Sequence, residues 1–162
     1  VVVSLKAAGA EALRTGMTEE LKPDTVQLLA TAQRASAATR SAPRIPKILW
    51  VDDRPDNNIH ERSALENAGF AVHTALSTDE AEQRLAKERF DVIISDMGRP
   101  EGPQAGYDLL ERLRARGYAA PYIIYASSGA PEHRAEAKRL AAVDCTNNPA
   151  ELLELVTNSI PT

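Results

Sequence analysis

The chain has 162 residues, of which 43% are hydrophobic and 26% are charged, the composition of an ordinary soluble globular protein. No apolar run reaches the ~18 residues that a membrane helix needs, and the single cysteine excludes an internal disulfide framework and favours a reducing, cytoplasmic location. The formal net charge is −4, and because the acidic excess falls in residues 45–162, we do not expect this chain to bind nucleic acid.

Residues 1–44 precede the regular part of the sequence, and we expect an N-terminal extension or linker that is the tail of a preceding region. Asp24 suits a helix N-cap, so a helix is predicted from Asp24 to about Arg40. Its alanine, serine, threonine and arginine content is typical of a connector, and a helix that forms a homodimer remains an open alternative. Pro43 and Pro46 end the segment because proline fixes φ and removes a backbone donor, which places the domain boundary at this point.

From residue 45 onward, short apolar runs alternate with helical patterns, and this alternation predicts five β–α repeats. The strands are predicted at 48–51, 71–75, 92–95, 121–126 and 142–146. Ser77 with Glu80 fits a capping box at one helix start, and Gly69 suits the C-terminus of another helix. Strands that alternate with helices of about 10–15 residues indicate βαβ units, and hence a parallel sheet with right-handed crossovers.

Carboxylates directly follow two of the buried strands. Asp52 and Asp53 follow the first strand, and Asp96 follows the third. Ligands of such sheets bind at the carboxyl ends of the strands, so adjacent strands would bring these three side chains into one pocket. Three carboxylates in one crevice repel one another unless a cation lies among them, and their oxygens suit a hard divalent ion, most simply Mg²⁺. The plainer alternative is that they are ordinary strand-end or N-cap acids.

Residues 47 to about 160 resemble the receiver domain of bacterial two-component response regulators. The resemblance rests on the acidic residues at the two strand ends, on Gly106 before the third helix, and on Pro121 and Pro149 before the fourth strand and the last helix. It implies a doubly wound, flavodoxin-like α/β fold whose five-stranded parallel sheet has the strand order 2-1-3-4-5.

The resemblance also implies a role for each acidic residue. Asp96 matches the phosphoacceptor, which takes a phosphoryl group from a histidine kinase or a phosphotransfer protein. Asp53 matches a direct Mg²⁺ ligand, and Asp52 matches the carboxylate that reaches the metal through water. Asp96 and the backbone carbonyl of Gly98 complete the implied metal site. The chemistry agrees with these roles, because phosphoryl transfer depends mainly on positioning and on neutralising charge.

Three positions depart from the family pattern. Ala126 replaces the Thr or Ser at the end of strand four, although the neighbouring Ser127 could still donate a hydrogen bond to the phosphoryl group. Asn148 replaces the Lys that precedes the last proline, and it cannot supply a positive charge. Arg99, in a loop longer than typical, could compensate, but from the sequence alone we favour a solvated arginine. Cys145 stands where the family has an aromatic residue on strand five, and we expect a buried, inert thiol there.

The resulting hypothesis is a signal-transduction receiver module of a two-component phosphorelay that is not an enzyme. The missing Lys and the displaced hydroxyl favour the alternative, a pseudo-receiver that acts as a protein-interaction domain without phosphotransfer. A small metal-dependent phosphatase or other hydrolase is a third class, and the lack of a second nucleophile or base beside the three carboxylates argues against it.

Overall fold

A parallel sheet of five short strands forms the centre of the computed structural model, which describes residues 44–161. The strands are β1 Lys47–Val51, β2 Ala71–Ala75, β3 Val92–Ser95, β4 Tyr122–Tyr125 and β5 Asp144–Thr146. Every neighbouring pair is parallel, and the order is β2-β1-β3-β4-β5, which confirms the predicted fold class. The predicted helix from Asp24 to Arg40, and any dimer contact through the extension, lie outside the described residues.

Helices follow the strands, and two of the predicted helix ends show the expected capping geometry. They are α1 Ile59–Asn67, preceded by a 3-10 turn at Pro55–Asn58, α2 Thr78–Lys87, α3 Ala105–Ala115, α4 Pro131–Arg139 and α5 Pro149–Ser159. At the start of α2, the Ser77 hydroxyl accepts a hydrogen bond from the backbone N–H of Glu80 at 3.1 Å, and the Glu80 carboxylate accepts one from the backbone N–H of Leu76 at 2.9 Å. Gly69, just after α1, has a φ of 105°, the left-handed conformation that glycine adopts without strain.

The last two strands are shorter than the sequence predicts, and local backbone geometry explains why. Pro121 only accepts a hydrogen bond, from Ile93 at 2.9 Å, because proline has no N–H to donate to the ladder. Before β5, Ala141 has a φ of 73°, and the N–H of Ala142 bonds to the carbonyl of Ala137 at 2.9 Å. These residues therefore close the end of α4 instead of beginning the strand.

Both faces of the sheet are covered, which is why the three central strands, β1, β3 and β4, are mostly apolar. Leu49 and Val51 point into a core with α2, α3 and α4, whereas Ile48 and Trp50 point into a second core with α1 and α5. Full burial of side chains of this size contributes roughly 1.5–3 kcal/mol each. Trp50 packs edge-to-face on Tyr125 with ring centroids 5.7 Å apart. No helix within residues 44–161 is long and apolar enough to cross a bilayer.

Candidate functional site

The carboxyl ends of β1 and β3 bring Asp52, Asp53 and Asp96 together. One carboxylate oxygen from each residue lies within 4.8 Å of the others. The backbone fixes this approach, because the N–H of Asp96 donates to the carbonyl of Val51 at 3.0 Å. The pocket around them is lined by Asp52, Asp53, Arg54, Asn57, Asn58, Asp96, Met97, Gly98, Arg99, Pro100, Tyr125, Ala126, Ser127 and Asn147. The three predicted acidic residues therefore share one pocket with Gly98 and Ser127.

Asp52 is held in place by hydrogen bonds to both of its oxygens. Its Oδ1 accepts from the backbone N–H of Arg54 at 2.8 Å, and its Oδ2 accepts from the side-chain amide of Asn58 at 2.9 Å. Asn58 is buried, and its own oxygen accepts from Arg62 at 2.8 Å. Burial raises the pKa of Asp52, and the charge of Asp53 raises it further. This carboxylate is positioned by its neighbours and is crowded by negative charge, as a cation site requires.

Asp96 is the most perturbed acid of the pocket. Burial, together with the charges of Asp52 and Asp53, raises the pKa of its carboxyl from 3.8 to about 7 against the opposing effect of the Arg99 guanidinium. The side chain retains 13% of its exposure, so the carboxylate is accessible from the pocket. A positive charge placed beside such a group stabilises its ionised form.

Arg99 supplies one such charge, and the structure corrects our interpretation of this residue. Its side chain is fully buried, and its Nη1 donates to Oδ1 of Asp96 at 2.5 Å. Its Nε donates to the Glu101 carboxylate at 3.1 Å. The expectation of a solvated arginine is therefore wrong, because the loop after β3 folds back and places the guanidinium behind the acidic residues.

Two glycines allow this part of the chain to pack closely. A Cβ atom at Gly106, in the first turn of α3, would lie 2.2 Å from the carbonyl oxygen of Asp96. The N–H of Gly106 also donates to the carbonyl of Met97 at 2.8 Å. At Gly98 a Cβ atom would lie 3.4 Å from the carbonyl oxygen of Pro103, at the near limit of ordinary van der Waals contact. Gly106 is thus the residue that lets α3 start directly against the backbone of Asp96.

The ends of β4 and β5 contribute no charged group to the pocket. Ala126 and Ser127 line it, as does Asn147, whose side-chain amide donates to the carbonyl of Ser127 at 3.5 Å. Asn148 instead caps α5, because its side-chain oxygen accepts from the backbone N–H of Glu151 at 2.9 Å. Cys145 is buried as expected, and burial raises the pKa of its thiol.

Three further polar residues contribute to the site and carried no signal in the sequence. Asn58 orients Asp52, while Thr78 and Glu101 contact Arg99. All three lie in or beside loops, where no periodicity marks a buried side chain. Only the spacing between a strand-end acid and a nearby arginine could have suggested the contact between Asp96 and Arg99.

Comparisons with known proteins agree with this geometry. A family model described as the response regulator receiver domain matches residues 48–158. The phosphate regulon transcriptional regulatory protein PhoB of Rhizobium meliloti (strain 1021) is 33% identical over 114 residues, which cover 69% of this chain and 49% of PhoB. The sensor histidine kinase RcsC of Escherichia coli (strain K12) is 29% identical over 105 residues, which cover 65% of this chain and 11% of RcsC.

Solved structures give the same result over the described part of the chain. The chemotaxis response regulator CheY4 of Vibrio cholerae superposes with a TM-score of 0.62 at 29% sequence identity, covering 72% of this chain and 100% of CheY4. The chain spans half or less of the length of PhoB and of RcsC, so the matched region is a single module within those larger proteins.

Proposed function

Because the chain belongs to the response regulator receiver family, we propose that Asp96 is its phosphoacceptor in a two-component phosphorelay. The observation that carries this proposal is the half-buried Asp96 carboxylate at the end of β3, with oxygens of Asp52 and Asp53 within 4.8 Å. Burial and the like charges of its neighbours raise the pKa of this carboxyl group, which means that they disfavour its anionic form.

The proposed reaction is transfer of a phosphoryl group to an oxygen of Asp96. The oxygen attacks phosphorus of a phosphohistidine, and a new O–P bond forms while the P–N bond breaks. The imidazole leaves with the electron pair of that bond and takes up a proton. The protein's contribution is to hold the acceptor oxygen in line and to provide charges that offset those of the phosphoryl oxygens.

Mg²⁺ fits the pocket by the chemistry of its ligands. Three carboxylates and the carbonyl of Gly98 offer oxygen ligands only, which is the set that a hard divalent cation prefers. Both oxygens of Asp52 already accept hydrogen bonds, which suits a carboxylate that acts through water, whereas Asp53 and Asp96 would bind directly. When bound, Mg²⁺ neutralises charge on the phosphoryl oxygens.

Trp50 offers a direct measurement of cation binding. It is buried and lies two residues before Asp52, so we expect its fluorescence to change as Mg²⁺ is added at millimolar concentration. The double variant Asp52→Asn with Asp53→Asn should lose this change. A wild-type protein without any spectroscopic or calorimetric response to Mg²⁺, or a double variant with an undiminished one, would exclude the metal site.

Intact-mass spectrometry tests the phosphoacceptor. With phosphoramidate and Mg²⁺, wild type should gain the mass of one phosphoryl group, and chelation of the metal should reduce the yield. Asp96→Asn should gain none. Failure of the wild type to label under these conditions would favour the pseudo-receiver alternative. Two residues already favour that alternative, because Ala126 has no hydroxyl and the side chain of Asn148 caps a helix.

The same proposal defines the partners and the setting. A histidine kinase or a phosphotransfer protein would supply the phosphoryl group, and the proposed setting is the cytoplasm. We propose a signalling module rather than an enzyme, because the residues that line the acidic pocket include no histidine or cysteine to act as a second nucleophile or base.

A further inference from the structure

Arg99 is bound more completely than any role at the surface would require. All five of its guanidinium N–H donors are directed at acceptors within hydrogen-bonding distance. Nη1 donates to the Ser95 hydroxyl at 3.0 Å and to Asp96 at 2.5 Å, Nη2 donates to the Thr78 hydroxyl at 2.7 Å and to the carbonyl of Ala105 at 3.2 Å, and Nε donates to Glu101 at 3.1 Å. A buried arginine stays charged, so it requires these partners.

A tight turn in the loop after β3 creates this arrangement. The backbone N–H of Arg99 donates to the carbonyl of Gly102 at 3.0 Å, and the N–H of Gly102 donates back at 2.9 Å. Pro100 restricts the turn, since its ring fixes φ. Glu101, at the tip of the turn, reaches Arg99 with one oxygen and the backbone N–H of Thr78 with the other, at 2.6 Å. The loop therefore joins the acceptor Asp96 to the first residue of α2.

Among the residues that line the acidic pocket, two have basic side chains, Arg54 and Arg99. The Arg54 side chain is 78% exposed and its nearest carboxylate, that of Asp53, is 3.9 Å away. Arg99 is fully buried and in direct contact with Asp96. A guanidinium that is already desolvated and oriented pays a smaller cost in desolvation and side-chain entropy on binding an anion than a mobile, hydrated one does.

We propose that Arg99 is the residue that binds the phosphoryl group in this pocket, and that phosphorylation is thereby relayed to the start of α2. This inference rests on the proposed function, because it requires that Asp96 accept a phosphoryl group. Formation of the acyl phosphate replaces one carboxylate charge with a more highly charged group of three acceptor oxygens. A planar guanidinium matches such a group with two parallel hydrogen bonds.

The relay follows from the partners that Arg99 would have to share or release. Its Nη2 is bonded to the Thr78 hydroxyl, and its Nε to Glu101, which in turn holds the Thr78 backbone N–H. Any shift of the guanidinium towards the phosphoryl group changes these contacts at the N-terminus of α2. At the end of β4, by contrast, Ala126 has no hydroxyl with which to respond.

Labelling kinetics test the first part of the inference. With phosphoramidate and Mg²⁺, we expect Arg99→Gln to lower the initial rate of labelling at Asp96 by about tenfold or more, the size of a lost charge-assisted hydrogen bond. Arg99→Lys keeps the charge but loses the planar set of paired N–H donors, so its labelling rate should lie between those of Arg99→Gln and wild type. Circular dichroism is the check that each variant is folded.

Arg54→Gln is the matched control, since it removes an equal charge from the mouth of the same pocket. The fall in the initial labelling rate should be clearly smaller for Arg54→Gln than for Arg99→Gln. Equal losses would show that net charge is responsible and would overturn the assignment to Arg99, as would a folded Arg99→Gln that labels at the wild-type rate. If wild type itself does not label, the proposed function fails, and that outcome is distinct from failure of the Arg99 assignment alone.

Amide hydrogen exchange tests the relay, and it does not depend on an Arg99 variant being folded. Between unlabelled and labelled wild type, we expect the largest changes in residues 76–81 and 98–105. Glu101→Gln and Thr78→Val, compared at equal labelled fraction, should diminish the change in residues 76–81. Changes confined to residues 126–130, or an undiminished response in both variants, would overturn the relay.

Discussion

Asp96 is subject to two opposing influences, and their balance defines the site at the scale of single residues. Burial and the neighbouring carboxylates disfavour its charge, while the Arg99 guanidinium favours it. The net result is a pKa of about 7, well above the ordinary 3.8. An acid in this condition responds strongly to added positive charge, and it makes the stability of the free protein depend on pH.

Without divalent cations, the contribution of Asp96 to the free energy of unfolding should fall as pH rises from about 4 to about 7. In that window the folded state binds the Asp96 proton more tightly than the unfolded state does, so raising the pH favours unfolding. Asp96→Asn cannot ionise, so its stability relative to wild type should increase across the window. Urea denaturation at several pH values in a chelator measures this difference, and saturating Mg²⁺ should reduce it. A difference that does not change with pH would contradict the raised pKa.

Gly106 offers a second prediction at this scale. A Cβ atom there would lie 2.2 Å from the carbonyl oxygen of Asp96, so Gly106→Ala should destabilise the fold by about 1–3 kcal/mol as α3 is pushed away. Gly102→Ala is the control, because a Cβ atom at Gly102 meets nothing within 4 Å. Chemical denaturation of the two variants should separate them clearly. Equal stabilities would show that α3 accommodates the extra atom without cost.

At the scale of elements, α4, β5 and α5 are joined by an ionic cluster on the side of the sheet opposite β2. Arg134 of α4 donates to Glu151 of α5 at 2.5 Å and to Asp144 of β5 at 2.9 Å. The Thr146 hydroxyl also donates to Glu151, at 2.5 Å. These hydrogen bonds lower the pKa of Glu151 to about 2. The cluster therefore fixes α4 and α5 to the edge strand.

Glu151→Gln should destabilise the protein at pH 7, and the loss should shrink as pH falls. The stabilisation from a lowered carboxyl pKa is present above the ordinary 4.5 and disappears as pH falls towards about 2. Glu136→Gln, which breaks an exposed pair with Arg139 on α4, should cost less at pH 7. Denaturation at pH 7 and at pH 3.5 gives the comparison. A loss in Glu151→Gln that is equal at both pH values would show that its charge is irrelevant to the cluster.

The elements also show how far sequence reasoning extends. Apolar runs between turn residues predicted β1, β3 and β4, because burial on both faces leaves few polar positions in them, whereas β2 and β5 include polar residues and carry a weaker pattern. The acids were predicted to meet because strand ends of a parallel sheet share one edge. The conformation of the loop that holds Arg99, in contrast, depends on Thr78, a contact remote in sequence that local patterns do not encode. The helix-cap role of Asn148, whose side-chain oxygen accepts from the backbone N–H of Glu151, was not among the predictions.

At the scale of the whole molecule, one sheet edge combines the features that the proposal needs. Two apolar cores hold the strands rigidly on both faces, so the carboxylates at their ends have little freedom to move apart. The loop after β3 carries the buried charge of Arg99, and through Glu101 it links the pocket to α2. A rigid sheet whose loop after β3 carries a buried charge suits a module that converts a charge change into a local rearrangement.

Reductive trapping tests the central claim, that Asp96 is the phosphoacceptor. Wild type is incubated with phosphoramidate and Mg²⁺ and then treated with borohydride, which reduces an acyl phosphate of aspartate to the alcohol and releases phosphate. Peptide mass mapping then identifies the converted residue. We expect a single conversion, at position 96, that is absent when the phosphodonor is omitted. No conversion, or conversion at Asp52 or Asp53 instead, would contradict the claim.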